Sequence, residues 1–532
     1  MASVDQPAVE AEGPGGVGIL DLYRSIWQAT SAAFVRHRLA IGIEIGLVVV
    51  WFLLRTTFTV ESRPYLAWML VAVGVAILSP TSGLVILAAT GPFFEPVTLT
   101  RALGMRHILV AALGVSVVLR LVFGGWRRMP WSPPVFLGIA IAGLTGLGVI
   151  HTYRTFDIDW ANHAAGSWLA SVGGAMIILV AAVWVARDGT WRPVAAAVAS
   201  TTVAVGLSVA DQLQRGLVSG GPLDWIGYWK DFGPRLGGAV PSPNGMAALA
   251  VMPVCILAAF AILTSGNRGR ILIARLLAAA AAASLFLAMY LTFSRAAILS
   301  LFGLAVVVAW RLNRRLGLVV LIGGIAAGIA LLPSYLALRG QVGAEGVLAP
   351  GSLLVTTDAL RLQAWDSAFH MWLDSPLLGQ GFLAYKQLAD SYGDVVLSSP
   401  HNEWLRLFAE EGVVAGLAGV AFVGSTIWWL RSRQDPLARG ILAGTFGYFL
   451  MASFNNPFLF IQVSAIALTA IGYGLAQSSR RGDHAEAAAA GPAWPDPEQP
   501  SPPADASPGP GSMRSHPNRR GARRRSACRA ER

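Results

Sequence analysis

A chain of 532 residues that is 55% hydrophobic and only 13% charged cannot cover a water-facing surface, since a soluble domain carries about 25% charged residues. Mean hydropathy is +0.57, and apolar runs of 16 to 23 residues recur along the chain, each near the ~20 residues that cross a hydrocarbon core. The chain reads as an all-α, polytopic transmembrane helix bundle. Unalternating runs such as Leu277 to Leu291 exclude a β-barrel.

The net charge is +11, much of it in a C-terminal cluster that includes Arg523, Arg524 and Arg525. No basic surface with interleaved aromatics accompanies it, so nucleic acid is not indicated as a partner. The two cysteines, Cys255 and Cys528, provide neither a disulfide framework nor metal-ligand spacing.

In chain order, residues 1–38 are polar and end in Arg36-His37-Arg38; 18–35 could lie on the membrane surface as an amphipathic helix. The first apolar run begins near Leu39, so the first span is expected to act as its own uncleaved signal. Candidate spans follow at 39–55, 65–80, 82–98, 107–124, 134–151, 167–186, 193–212, 244–264, 271–292, 296–311, 316–333, 412–430, 438–453 and 458–476. Pro80 and Gly83 leave open a re-entrant hairpin over 65–98, hence 12 to 14 spans.

With a cytoplasmic N-terminus, Arg127-Arg128, Arg187 with Arg192, Arg268 with Arg270, Arg314-Arg315 and Arg431 with Arg433 all fall in inner loops, as the positive-inside rule requires. The longer polar segments 152–166, 213–243 and 334–411 then lie outside. Residues 477–532, rich in Pro, Ala, Ser and Arg, are expected to be a disordered basic cytoplasmic tail.

The 334–411 segment is the one long enough to fold by itself outside the membrane. Its residues 358–372 have helical spacing, ended by Asp374-Ser375-Pro376 and the glycines Gly379 and Gly381. Trp365 and Trp372 read as interfacial anchors. Further on, Ser399 as N-cap and Pro400 as first helical residue predict a helix with His401 in its first turn. The helix dipole would keep that imidazole neutral, as a general base requires. Arg235 and Arg295 share the outer face, where guanidinium forks suit a phosphate.

At these residues the chain resembles the O-antigen ligase and polymerase superfamily of bacterial membrane glycosyltransferases. Its signature is His, then Asn, Ser or Gln, nine residues, Gly, two residues, and Gly, Thr or Tyr. Here His401, Asn402 and Gly412 match, and Ala415 stands at the last position with Gly416 beside it. The resemblance covers about 230–475 and takes in Ser294-Arg295, Arg361 with Trp365, the 376–382 stretch, and Arg235 with Asn244.

It implies transfer of a glycan from an undecaprenyl-pyrophosphate carrier to an acceptor hydroxyl at the outer face of the inner membrane, without metal or other cofactor. His401 would be the base; Arg235, Arg295 and Arg361 would hold the pyrophosphate; Asn402 and Gly412 would support the motif. A polymerase of the same superfamily is the nearest alternative. A transporter or flippase is the alternative from another class, disfavoured because intramembrane acids are scarce, Glu44 being the main one, and because the polar residues gather at one face.

Overall fold

A computed structural model describes residues 38–57, 63–93, 104–124, 126, 129–217, 243–264, 269–292, 294–343, 353–393, 397–433 and 435–489. The predicted amphipathic helix over 18–35, Arg235 and the tail beyond 489 lie outside these residues. The chain divides into a compact unit, residues 1–483, and a second, 484–532; all packing below is within the first.

The described residues are all-α, with no strand among them. In chain order the helices are α1 Arg38–Thr57, α2 Arg63–Leu78, α3 Pro80–Thr90, α4 Met105–Gly124, α5 Pro133–Thr155, α6 Ile158–Leu169, α7 Val172–Ala186, α8 Arg192–Leu217, α9 Pro243–Leu263 and α10 Gly269–Leu291. Then come α11 Arg295–Leu312, α12 Arg314–Gly343, α13 Leu353–Asp374, the single turn α14 Tyr385–Leu388, α15 Glu403–Leu430, α16 Pro436–Ala452 and α17 Ile461–Ala489. Each predicted span has a helix on it. Seven segments among the described residues are long and apolar enough to cross a membrane, α6 and α7 counting as one.

The third predicted span needs correction. At 11 residues, α3 is about 17 Å long, too short for a ~30 Å core. Ser79 caps it by accepting from the Ser82 N–H at 3.2 Å, and Pro80 occupies its first turn. It is buried on nearly all sides, with the Ala88 carbonyl accepting from Ser200 of α8 at 2.7 Å. The Arg106 guanidinium donates to the Phe93 carbonyl just beyond it. Ser82 also donates to Glu44 at 2.8 Å, whose other oxygen meets Arg192 at 3.4 Å. Glu44 therefore ties α1, α3 and α8 together.

Three further boundaries differ from expectation, the first being α12, which runs to Gly343, ten residues past the expected 333 and into the 334–411 segment. The polar 152–166 segment is mostly helical, as the end of α5 and most of α6, because Asp157 caps α6 by accepting from the Trp160 N–H at 2.8 Å. At the other end, α17 continues past the expected end near 476 to Ala489, through an alanine-rich stretch with high helix propensity.

The candidate site is built at one end of the bundle. There α15 packs between α5 and α13 and also meets α16, which in turn packs on α9 and α11. Midway along α11, Gly303 sits against Leu450 and Phe446 near the close of α16. A small separate core of Ala364, Ala368, Met371, Tyr385, Ala389 and Ala409 joins α13 and α14 to the start of α15.

Candidate active site

The helix carrying the histidine motif starts three residues later than expected. Asn402, not Ser399, is the N-cap: its side-chain oxygen accepts from the N–H groups of Trp404 and Leu405 at 3.1 and 3.2 Å, a bond that Ser399, four residues before the helix begins, is not placed to make. His401 therefore precedes the helix, with a left-handed backbone at φ 49°. Such a conformation costs a non-glycine residue about 1–3 kcal/mol unless its surroundings enforce it. Here Trp365 Nε1 donates to the Pro400 carbonyl at 2.8 Å, and the Asn402 cap holds the next residue. Trp365 is thus a clamp on the histidine loop. Trp372 likewise packs on α15, its ring 5.5 Å from that of Phe408.

Burial pushes the His401 imidazole below its ordinary pKa, and the positive charge of Arg361 acts in the same direction; a hydrogen bond with Asn455 opposes them. The ring is neutral near pH 7 as expected, but from burial and Arg361 and not from a place inside the helix. His401 Nδ1 is buried without a hydrogen-bond partner in the protein.

Nine residues, Glu403 to Glu411, separate the cap from Gly412, where the helix breaks at φ 76° and ψ −176°. Only glycine adopts this conformation readily. The break is filled by the 376–381 loop. Gln380 N–H donates to the Ala409 carbonyl at 3.1 Å, Gly381 N–H to the Glu410 carbonyl at 2.8 Å, and Val413 N–H to the Pro376 carbonyl at 2.8 Å. A Cβ on Gly412 would run into the Leu377 carbonyl. The same loop reaches α5, where Phe382 N–H donates to the Gly148 carbonyl at 3.3 Å and Thr152 donates to the Phe382 carbonyl at 3.0 Å. The spacing from Asn402 to Gly412 is the length of a short helix, about 13 Å, between its cap and this plug. Ala415 is fully buried, and the close approach falls one residue later, at Gly416 against the Phe408 ring.

Four ionisable side chains of this short helix are buried, which hydropathy alone conceals. Arg406 donates to Glu410 at 2.6 Å and, through Nε at 3.1 Å and a second nitrogen, to Glu403. Glu410 also accepts from the Tyr385 N–H at 3.3 Å and from the Leu383 N–H, while Glu403 accepts from the Phe458 N–H. Arg406 therefore links two loops through its two partners: the 382–385 segment beyond the plug, and the 453–460 turn after α16. Glu411 lies against Gly148 of α5. The regularity of 403, 406 and 410 along one helical face is the sequence signal for this cluster.

The 453–460 turn contributes residues that the sequence reading did not single out. Trp404 Nε1 donates to Ser453 at 3.1 Å, and Asn455 bonds to His401. Asn455 and Asn456 are 3% and 2% exposed.

Of the sequence-predicted site residues, the structure joins His401, Asn402, Gly412 and Arg361. Arg295 is the first residue of α11, after the Ser294 cap whose oxygen accepts from Ala297 N–H at 3.4 Å; its side chain and the whole of Arg235 lie outside the described residues. Beneath the site, an apolar groove of about 380 Å³ runs between α15 and α16 from Trp404 and Ser453 to Ile427.

A half-buried imidazole with its pKa lowered by burial and by a guanidinium stands at one end of a helical bundle with seven segments long and apolar enough to cross a membrane among the described residues. Residues 280–420 match the family model described as O-antigen ligase, a stretch that includes Arg295, Arg361, His401, Asn402 and Gly412. The chain thus carries a domain of the O-antigen ligase superfamily, a family of membrane glycosyltransferases. No curated protein matches the chain.

Proposed function

We propose that the protein transfers a glycan from an undecaprenyl-pyrophosphate carrier to an acceptor hydroxyl, in the manner of an O-antigen ligase, at the extracytoplasmic face of the inner membrane. The observation that carries this reading is the unpartnered Nδ1 of His401, on a ring held neutral by burial and by Arg361.

Deprotonation of the acceptor oxygen by His401 makes the nucleophile. The oxygen attacks the anomeric carbon of the first sugar, and the bond to the carrier pyrophosphate breaks as that group gains negative charge. Fixed guanidinium groups act most strongly where charge develops, which is the role given to Arg361, Arg295 and Arg235. Direct attack inverts the anomeric centre. Half-buried Asn402 and buried Gly412 act on geometry, as cap and break of the helix that follows the base.

His401→Ala is expected to lower transfer by roughly 10²–10⁴-fold, the usual contribution of a positioned base, with membrane insertion intact. Purified protein in vesicles with an undecaprenyl-pyrophosphate-linked glycan and separately added acceptors measures this. Transfer undiminished in the variant overturns the assignment. In the same assay, chain growth without added acceptor indicates a polymerase, and transfer to a lipid core indicates a ligase.

A further inference from the structure

Asn455 and Asn456 follow one another in the turn between α16 and the 3-10 helix Pro457–Leu459. Each is more than nine-tenths buried, which for an amide costs free energy unless its hydrogen bonds are made. Apart from the bond of Asn455 to His401, they are not made within the protein. The Nδ2 of Asn455 and both Nδ2 and Oδ1 of Asn456 have no partner. Asn456 also occupies the N-cap position of the 3-10 helix, yet its side chain makes no capping bond, so the local fold does not account for it. The turn is itself firmly held, by Trp404 on Ser453 and by Glu403 on the Phe458 N–H. Together with His401 Nδ1, four buried polar atoms without partners are concentrated on two adjacent loops.

We propose that the Asn455–Asn456 pair is a recognition element for the glycan next to His401, with Asn455 positioning the imidazole and Asn456 hydrogen-bonding the neutral sugar at the reacting end. The atoms decide the ligand class. Asn456 offers one free acceptor and a free amino group and no charge, which pairs with a vicinal diol or an acetamido group. The pyrophosphate end of the carrier calls instead for guanidinium groups. A site built to bond such groups rejects ligands that lack them, because its own buried atoms are then left unpaired.

This inference rests on the proposed function, and binding separates the two. Wild-type protein and Asn456→Ala in lipid nanodiscs are titrated with glycan-bearing undecaprenyl pyrophosphate and with bare undecaprenyl pyrophosphate. The expected result is a ten- to hundred-fold loss of affinity for the glycan-bearing carrier with unchanged affinity for the bare one. Equal affinity of wild type and variant for the glycan-bearing carrier, or an equal loss on both ligands, overturns the role of Asn456. Binding of neither carrier by the wild type overturns the proposed function itself. Asn456→Leu, close in size and leaving no protein partner unpaired, controls for folding and is expected to lose the same selectivity at a wild-type unfolding temperature. For Asn455, replacement by Asp puts a carboxylate against the ring, and the acid limb of the kcat/KM profile is expected to move to higher pH; an unmoved limb overturns its positioning role.

Discussion

His401 combines three properties that act together: a strained backbone, a depressed pKa and a ring nitrogen without a partner. A general base works in its neutral form, so activity should fall as pH drops through the folded-state pKa, which lies below the ordinary value of about 6.5. Because the positive charge of Arg361 helps depress that pKa, Arg361→Gln should raise it and carry the acid limb of kcat/KM to higher pH. A pH–rate profile of whatever activity the variant keeps measures the shift. The motif of His401, Asn402 and Gly412 makes the candidate base legible in the sequence, since it is a local pattern. Its neutrality is legible too, although the cause is not: the depression comes from burial and from a guanidinium forty residues away on α13, neither of which local spacing encodes.

At the scale of elements, the start of α15 is a nine-residue helix with a cap at one end and a plug at the other. Its buried Arg406 is matched to two carboxylates, and removing one partner of such a pair usually costs about 3–5 kcal/mol. Arg406→Met should accordingly lower the unfolding temperature in detergent and reduce activity through the two loops it links, whereas Trp428→Phe on the exposed side of the same helix should change little. Gly412→Ala places a Cβ on the Leu377 carbonyl at a backbone angle unsuited to alanine, and should likewise unseat the 376–381 plug; differential scanning fluorimetry measures both. The motif glycines announce this break in the sequence. The buried acids do not, because an averaged hydropathy window assigns Glu403, Arg406, Glu410 and Glu411 to the polar segment before the span. Asn455 is invisible for another reason: its contact with His401 joins residues 54 apart in the chain across two helices.

For the molecule as a whole, the helix pattern follows directly from the apolar runs, and the largest departure is α3, buried and too short to cross. Orientation rests on the arginine bias of alternate loops, and labelling tests it. Cys255 is buried and Cys528 belongs to the tail assigned to the cytoplasm. On intact cells a membrane-impermeant maleimide should therefore leave the wild type unlabelled and react with Asp390→Cys, an exposed position in the 389–391 turn. Labelling of the wild type, through Cys528, inverts the topology and takes the proposed extracytoplasmic site with it.

The break at Gly412 also governs how the protein is assembled. Four ionisable residues in the nine before it each oppose entry into lipid, by about 2.5–3.5 kcal/mol for a charged residue at mid-membrane. The 413–430 segment, about 27 Å of helix, is apolar enough to insert without them. The short polar helix must then wait at the surface until its charges can be enclosed. Of the two loops that enclose it, the 376–385 loop is already synthesised, but the 453–460 turn emerges only after α16. A chain stalled before that turn would hold its spans yet lack Asn455, Asn456 and the Phe458 N–H that Glu403 needs. The 453–460 turn follows α16 in the chain, so the surroundings of His401 and Glu403 can be complete only after that late turn has been made.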